Sequence, residues 1–193
     1  MCCRIISSVV LRHNHIPRHL RLTINCAAHI GYSMNFTWEI KLASEKDVQA
    51  TVEQLTDHMN DEQRRAFRDK IRRYILKKDR DLILAVRGPQ VLGLVCVIEQ
   101  GELPPGISVL TTDYLKNFAC GTQLFVHPSF RGRGIGGSLH THAESWARTR
   151  GLAGYWHITH RLAHWYEKDF GYEQVALIQV KGARKTVMAK QFD

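Results

Sequence analysis

Three absences narrow the reading before any motif is considered. The chain has no run of about 18 consecutive apolar residues, the length a membrane-spanning helix needs, so no transmembrane segment is expected. Its cysteines, Cys2, Cys3, Cys26, Cys96 and Cys120, are odd in number and show no C-x-x-C spacing. That argues against a disulfide framework or a cysteine zinc site and leaves reduced thiols, with Cys96 and Cys120 in the core. From Met1 to Ser33 there is no Asp or Glu, and the only formal charges are Arg4, Arg12, Arg18 and Arg21. An acid-free segment with Arg and Ser has the composition of a mitochondrial transit peptide, whereas a secretory signal needs a longer apolar core. Residues 1–33 are read as an N-terminal extension, poorly ordered or not part of the domain, because Met34 starts a segment that reads as complete by itself. A targeting peptide and a genuine extra element are the alternatives. The expected location is cytoplasmic, or mitochondrial if residues 1–33 are a transit peptide.

What is present fits one domain with a real core, residues 34–193: the chain has 193 residues, of which 44% are hydrophobic. The net charge of +9 favours phosphorylated or polyanionic partners and carries no information about fold. There is no internal repeat. "FTWEIKL" alternates as a strand, and Ser44 is placed to cap a helix running to about His58. Asp61 opens a second helix with Phe67, Ile71, Tyr74 and Ile75 on one stripe. Two strands follow, "DLILAV" and "VLGLVCVIE", joined by a Gly-Pro turn, then a polar loop, "QGELPPGISVLTTDYLKN". A strand from about Phe118 to His127 leads into a glycine-rich turn and a helix to about Arg150, stopped by Gly151. "GYWHIT", "HRLAHWYEKDF", "YEQVALIQV" and "KTVMAK" read as strand, helix, strand and strand. The order is β α α β β β α β α β β.

The segment that carries chemistry is "VHPSFRGRGIGGSLHTHAESWA", residues 126–147. A helix start leaves several backbone N–H groups without partners and concentrates about half a positive charge. Such a place stabilises a phosphate, and glycine allows the backbone to approach it closely. Gly132, Gly134, Gly136 and Gly137 give that access, while Arg131 and Arg133 add charge. A plain glycine-rich turn with solvated arginines is the competing reading. A Walker A loop is excluded, since no Lys follows the glycines, and "GRGIGG" is not G-x-G-x-x-G.

"RGRGIG", entered through "LFVHPSF" and followed by an amphipathic helix, resembles the signature of the GNAT superfamily of acyl-CoA-dependent N-acetyltransferases. The resemblance covers roughly residues 36–191. It implies an α/β (α+β) fold, the GNAT acyl-CoA N-acyltransferase fold, with a mixed, mainly antiparallel sheet of six to seven strands flanked by about four helices. It further implies that backbone amides of Arg131, Gly132, Arg133, Gly134, Ile135, Gly136, Gly137 and Ser138 hold the pyrophosphate of acetyl-CoA. Backbone at Leu124, Phe125 and Val126 would pair with the pantetheine arm, because that strand splays from its neighbour.

Acetyl transfer from a thioester requires a neutral amine. A lysine-like amine with pKa near 10.4 is protonated at neutral pH, a deficit of roughly 4 to 5 kcal/mol. The site must remove a proton, stabilise the carbonyl oxygen and reprotonate the thiolate. "HRLAHWYEKDF" resembles the family's Asn-x-x-Ala-x-x-aromatic-Tyr stretch with one residue fewer between Ala163 and Tyr166, and the resemblance implies Tyr166 as the proton donor to sulfur; a buried aromatic on an amphipathic helix is the competing reading. His160 stands where the family has Asn and would contact the pantetheine arm. No acid occurs in "FACGTQLFV", so the base is left open among Glu99, Asp113, His127, His157 and an ordered-water relay.

Other signals are weaker. "RRAFRDKIRRYILKKDR" is read as a solvated helix face, with selection of an acidic protein substrate through Arg72 and Arg73 as a hypothesis, and nucleic acid is not an expected partner. His160 and His164 are four apart, but without an acidic or cysteine neighbour no metal site is expected. The leading expectation is direct transfer of acetyl from acetyl-CoA to a primary amine of an unidentified small molecule or protein. A non-catalytic acyl-CoA-binding regulatory module and a basic nucleic-acid-binding domain are the alternatives. No membrane partner is expected, and a homodimer is kept open.

Overall fold

The computed structural model describes residues 22–24, 36–57, 59–180 and 182–193. The elements are β1 (Leu22–Ile24), β2 (Trp38–Leu42), α1 (Asp47–Leu55), α2 (Asp61–Leu76), β3 (Arg80–Arg87), β4 (Gln90–Ile98), α3 (Val109–Leu115) and β5 (Phe118–Val126). A 3-10 turn, Pro128–Phe130, leads into α4 (Ile135–Thr149), followed by β6 (Gly154–Thr159), α5 (Ala163–Phe170), β7 (Glu173–Val180) and β8 (Ala183–Gln191). The strands form one sheet in the order β1-β2-β3-β4-β5-β6-β8-β7. Every neighbouring pair is antiparallel except β5 and β6. This is the mixed, mainly antiparallel sheet that the sequence predicts.

Strand alternation divides the core into two faces. Ile83 and Ala85 of β3 pack with Ile135, Leu139, Ala143 and Trp146 of α4, while Leu82, Leu84 and Val86 turn to Val48, Val52 and Leu55 of α1 and Phe67, Ile71 and Tyr74 of α2. Each buried aliphatic side chain contributes about 1.5–3 kcal/mol relative to exposure. α2 starts on a capping box: Gln63 N–H donates to Asn60 Oδ1 at 2.9 Å, and Asn60 N–H donates to Gln63 Oε1 at 3.1 Å. Arg64 on that helix donates Nε–H to the carbonyls of Thr56 and Met59 at 3.1 and 3.0 Å, satisfying backbone acceptors after α1. α4 is fastened at its far end, where Trp146 Nε1–H donates to Asp81 at 2.7 Å and Arg150 pairs with Asp81 at 2.9 Å and with Glu99.

Local differences from the sequence reading have physical causes. Ser44 does not cap α1; its N–H and hydroxyl both donate to Asp47 Oδ2 at 2.8 Å, closing a turn, and the helix begins at Asp47. The segment read as a polar loop holds α3, capped by Ser108, whose Oγ accepts from Thr111 N–H at 3.2 Å. β1 pairs with β2 at the sheet edge, Leu22 opposite Ile40. The remainder of residues 1–33, including Cys2, Cys3 and Cys26, lies outside the described residues. Cys96 and Cys120 are buried free thiols, both pushed up to about 12 by burial. Among the described residues no helix is long and apolar enough to cross a membrane.

Candidate active site

The candidate site is built on the one parallel pair among the described residues. β5 runs beside β6 from Phe118 opposite Gly154 to Gly121 opposite His157, and there the register ends. Beyond it β5 continues to Val126 along β4, while β6 stays with β8 as far as Thr159 opposite Thr186. A register shift at Cys96/Val97, opposite Gly121 to Gln123, re-aims β5 where the two strands part. Antiparallel alternation decides which backbone groups face the fork. Since His127 N–H donates to Leu92 O at 2.9 Å, the backbone of Phe125 also turns to β4, and that of Leu124 and Val126 turns to the β6 side. Arg131 Nε–H takes up the Val126 carbonyl at 3.1 Å.

The chain then passes through the 3-10 turn into α4. Gly132 and Gly134 hold φ of +73° and +79°, a region that costs other residues strain. Gly134 is the N-cap, so α4 begins at Ile135, and the first helical bond runs from Ser138 N–H to Gly134 O at 3.0 Å. The amides of Ile135, Gly136 and Gly137 precede it and point out of the helix end. A Cβ on Gly136 would lie 3.7 Å from Val126 Cγ2, and one on Gly137 would lie 3.6 Å from Phe170 Cζ, both ordinary contacts. Packing within the chain therefore does not require glycine at these two positions, whereas a phosphate resting on the helix end would. The two arginines differ: Arg131 braces the loop through Val126, and Arg133 stacks on the Phe36 ring at 4.5 Å.

α5 carries Tyr166. Its ring is buried, with the centroid 3.9 Å from that of His157 and 5.0 Å from that of His140, and burial pushes the phenol up to about 12. The group therefore stays protonated through neutral pH. His160 is exposed just past β6. Of the four side chains considered as base, His157 is the one packed against Tyr166. Glu99 is tied to Arg150, His127 Nδ1 accepts from Ser129 N–H at 3.3 Å with its Nε2 3.7 Å from Asp57, and Asp113 is exposed on α3. Burial, followed by the electrostatic effect of the neighbouring His140, drives His157 well below the usual histidine value, so its imidazole is neutral at pH 7.

A polar cluster under α4 escapes sequence reasoning. Glu144 is buried and accepts from the Tyr172 hydroxyl at 2.9 Å and from Lys190 Nζ at 3.1 and 3.3 Å, with His140 Nε2 at 3.5 Å. Burial raises this carboxyl, but the proximity of His140 and Lys190 outweighs it and holds Glu144 below its ordinary value. The only signal in the sequence is the i,i+4 pair His140 and Glu144, which shares the stripe of Leu139 and Ala143.

Known proteins share this fold. The PaiA N-acetyltransferase from Thermoplasma acidophilum in complex with coenzyme A is 15% identical, with a TM-score of 0.59 over 81% of this chain and 100% of that one. The GNAT domain of S. lividans PAT is 17% identical, with a TM-score of 0.59 over 82% and 92%. Aminoglycoside 6'-acetyltransferase type Ii is 20% identical, with a TM-score of 0.60 over 79% and 96%. At these identities the likeness establishes the fold. No curated protein is significantly similar in sequence. The sequence profile of the acetyltransferase (GNAT) family matches residues 48–172, which span both helices before the hairpin, the glycine turn, α4 and α5, and the chain belongs to that family.

Proposed function

We propose that this chain is an acetyl-CoA-dependent N-acetyltransferase that passes the acetyl group directly to a primary amine of a small molecule or protein. The observation that carries the reading is the glycine-lined start of α4, whose open amides adjoin the end of β5. The amides of Ile135, Gly136 and Gly137 and the positive helix end suit a pyrophosphate. The amides of Gly132, Arg133 and Gly134 complete the assignment, while the N–H groups of Arg131 and Ser138, also expected there, are bonded to Pro128 O at 3.3 Å and Gly134 O at 3.0 Å, which leaves Arg131 and Arg133 as nearby charge. Leu124 and Val126 offer backbone to the pantetheine arm on the β6 side, Phe125 lies between them, and His160 stands at the exposed rim. When bound, acetyl-CoA supplies an activated thioester carbon.

The chain's own groups then divide the work. The fork and helix end fix the donor, converting an encounter between two solutes into a reaction within one site. Tyr166, protonated at neutral pH, delivers its proton to the departing sulfur. The same complex of coenzyme A with the Thermoplasma protein supports this choice of donor. Amine selection is assigned to α1, α2 and residues 100–117, which border the opposite face of the sheet. The reading is tested by amine-dependent release of free thiol from acetyl-CoA across a panel of small amines, lysine peptides and protein N-termini. Thiol release that rises with one acceptor class supports transfer. Saturable acetyl-CoA binding with no release for any acceptor would leave a silent acyl-CoA-binding module instead.

A further inference from the structure

His157 is buried, and neither Nδ1 nor Nε2 has a hydrogen-bond partner. Its surroundings make that conspicuous. The nearby carboxylate, Glu144, is already engaged by the Tyr172 hydroxyl and Lys190 Nζ, with His140 Nε2 3.5 Å away and itself without a hydrogen bond, so Glu144 is not the partner of His157. Around His157 stand Tyr166 at 3.9 Å between ring centroids, Tyr172 at 5.0 Å and His140 at 5.5 Å. A phenylalanine would fill this aromatic nest without leaving two polar atoms unpaired, and buried polar atoms without partners are disfavoured. The placement is specific as well. His157 is the β6 partner of Gly121, the last residue pair before β5 and β6 diverge, so it stands at the base of the fork, and it touches the side chain assigned as proton donor.

We propose that His157 is a ligand-contacting group of the acyl-CoA site: its neutral imidazole hydrogen-bonds the thioester end of the bound acyl-CoA at the base of the β5/β6 fork, beside Tyr166. This rests on the acetyltransferase reading. A neutral imidazole offers one N–H donor and one acceptor, which suits the amide and thioester oxygens and an approaching amine better than a cation would. Burial and His140 together keep it neutral. No hydrogen bond joins it to Tyr166, and its role is to complete the polar lining of the place where the acyl group arrives.

The test uses the full chain, with 15N-labelled histidine and His157→Phe to assign the ring signals. On titration with acetyl-CoA, both His157 ring nitrogens shift to hydrogen-bonded values and do so at the same midpoint as calorimetric binding. His157→Phe remains folded, melts at a temperature equal to or above the parent's, and binds acetyl-CoA roughly fivefold more weakly. A variant that binds acetyl-CoA as tightly as the parent, or ring signals that stay still at saturation, would overturn the proposal while leaving the acetyltransferase reading intact. Absence of any saturable acetyl-CoA binding by the folded parent would sink both. If His157→Phe fails to fold, His157→Asn supplies the signal assignment, and the ring-nitrogen shifts in the parent decide.

Discussion

Tyr166 and His157 are two buried polar side chains in ring contact, and burial moves them in opposite directions on the pH scale. For Tyr166 the folded value is raised above an unfolded value near 10. Its contribution to stability is therefore intact below pH 10 and is lost as the pH climbs from 10 to about 12. For His157 the folded value is depressed below 6.5, so the unfolded chain binds the extra proton, and stability falls as the pH drops through 6.5. His157→Phe removes that liability, and its unfolding curve in urea at pH 5 shifts to higher denaturant relative to the parent than it does at pH 8. Equal shifts at the two pH values would mean that the imidazole is not held neutral by the fold. Tyr166→Phe keeps the ring and loses the proton: turnover falls about a hundredfold or more with acetyl-CoA affinity unchanged, read from thiol release and calorimetry. Retained turnover would assign Tyr166 to the core alone, the competing reading of a buried aromatic on an amphipathic helix.

At the scale of elements, α4 is held at one end by packing, and its glycine-lined start is the end proposed to receive a ligand. Gly136→Ala fits beside Val126 and raises helix propensity by up to about 1 kcal/mol, so the variant melts higher yet binds acetyl-CoA more weakly. Tighter or unchanged binding would show that the bare helix end has no ligand to accommodate. At the far end, Asp81→Ala strips partners from Trp146 and Arg150 and costs about 1–3 kcal/mol in a denaturant titration. These elements were legible in the sequence because their apolar spacing is unbroken: Ile135, Leu139, Ala143 and Trp146 are all buried, as are Phe67, Ile71 and Tyr74. α3 was not legible, since its first residues, Val109 and Leu110, are 76% and 82% exposed and so break any inward stripe. β1 has three residues and is defined only by its pairing with β2. The turn of φ at Gly132 and Gly134 was foreseeable from glycine itself. The division of labour between Arg131 and Arg133 was not, because it depends on the Val126 carbonyl and the Phe36 ring.

Over the whole molecule, the parts of the site that lie close in sequence were readable, and those joined only by folding were not. Residues 126–138 show a glycine-rich turn that opens a helix, whereas Glu144 meets Tyr172 and Lys190 across separations of 28 and 46 residues, partners that no pattern along the chain foretells. The same holds for His157 and Tyr166, which lie on adjoining elements but whose contact follows from where β5 and β6 part. The central claim is that this fork and the start of α4 together receive acyl-CoA, and it is tested most directly by calorimetric titration of acetyl-CoA into the full chain and into the double variant Gly136→Asp/Gly137→Asp. Two carboxylates placed at the helix end repel a pyrophosphate, while acidic residues in a first helical turn do not harm the helix. Saturable binding by the parent that disappears in the folded variant is the predicted result. A well-folded parent that binds no acetyl-CoA, or a variant that binds it as well as the parent, would contradict the account.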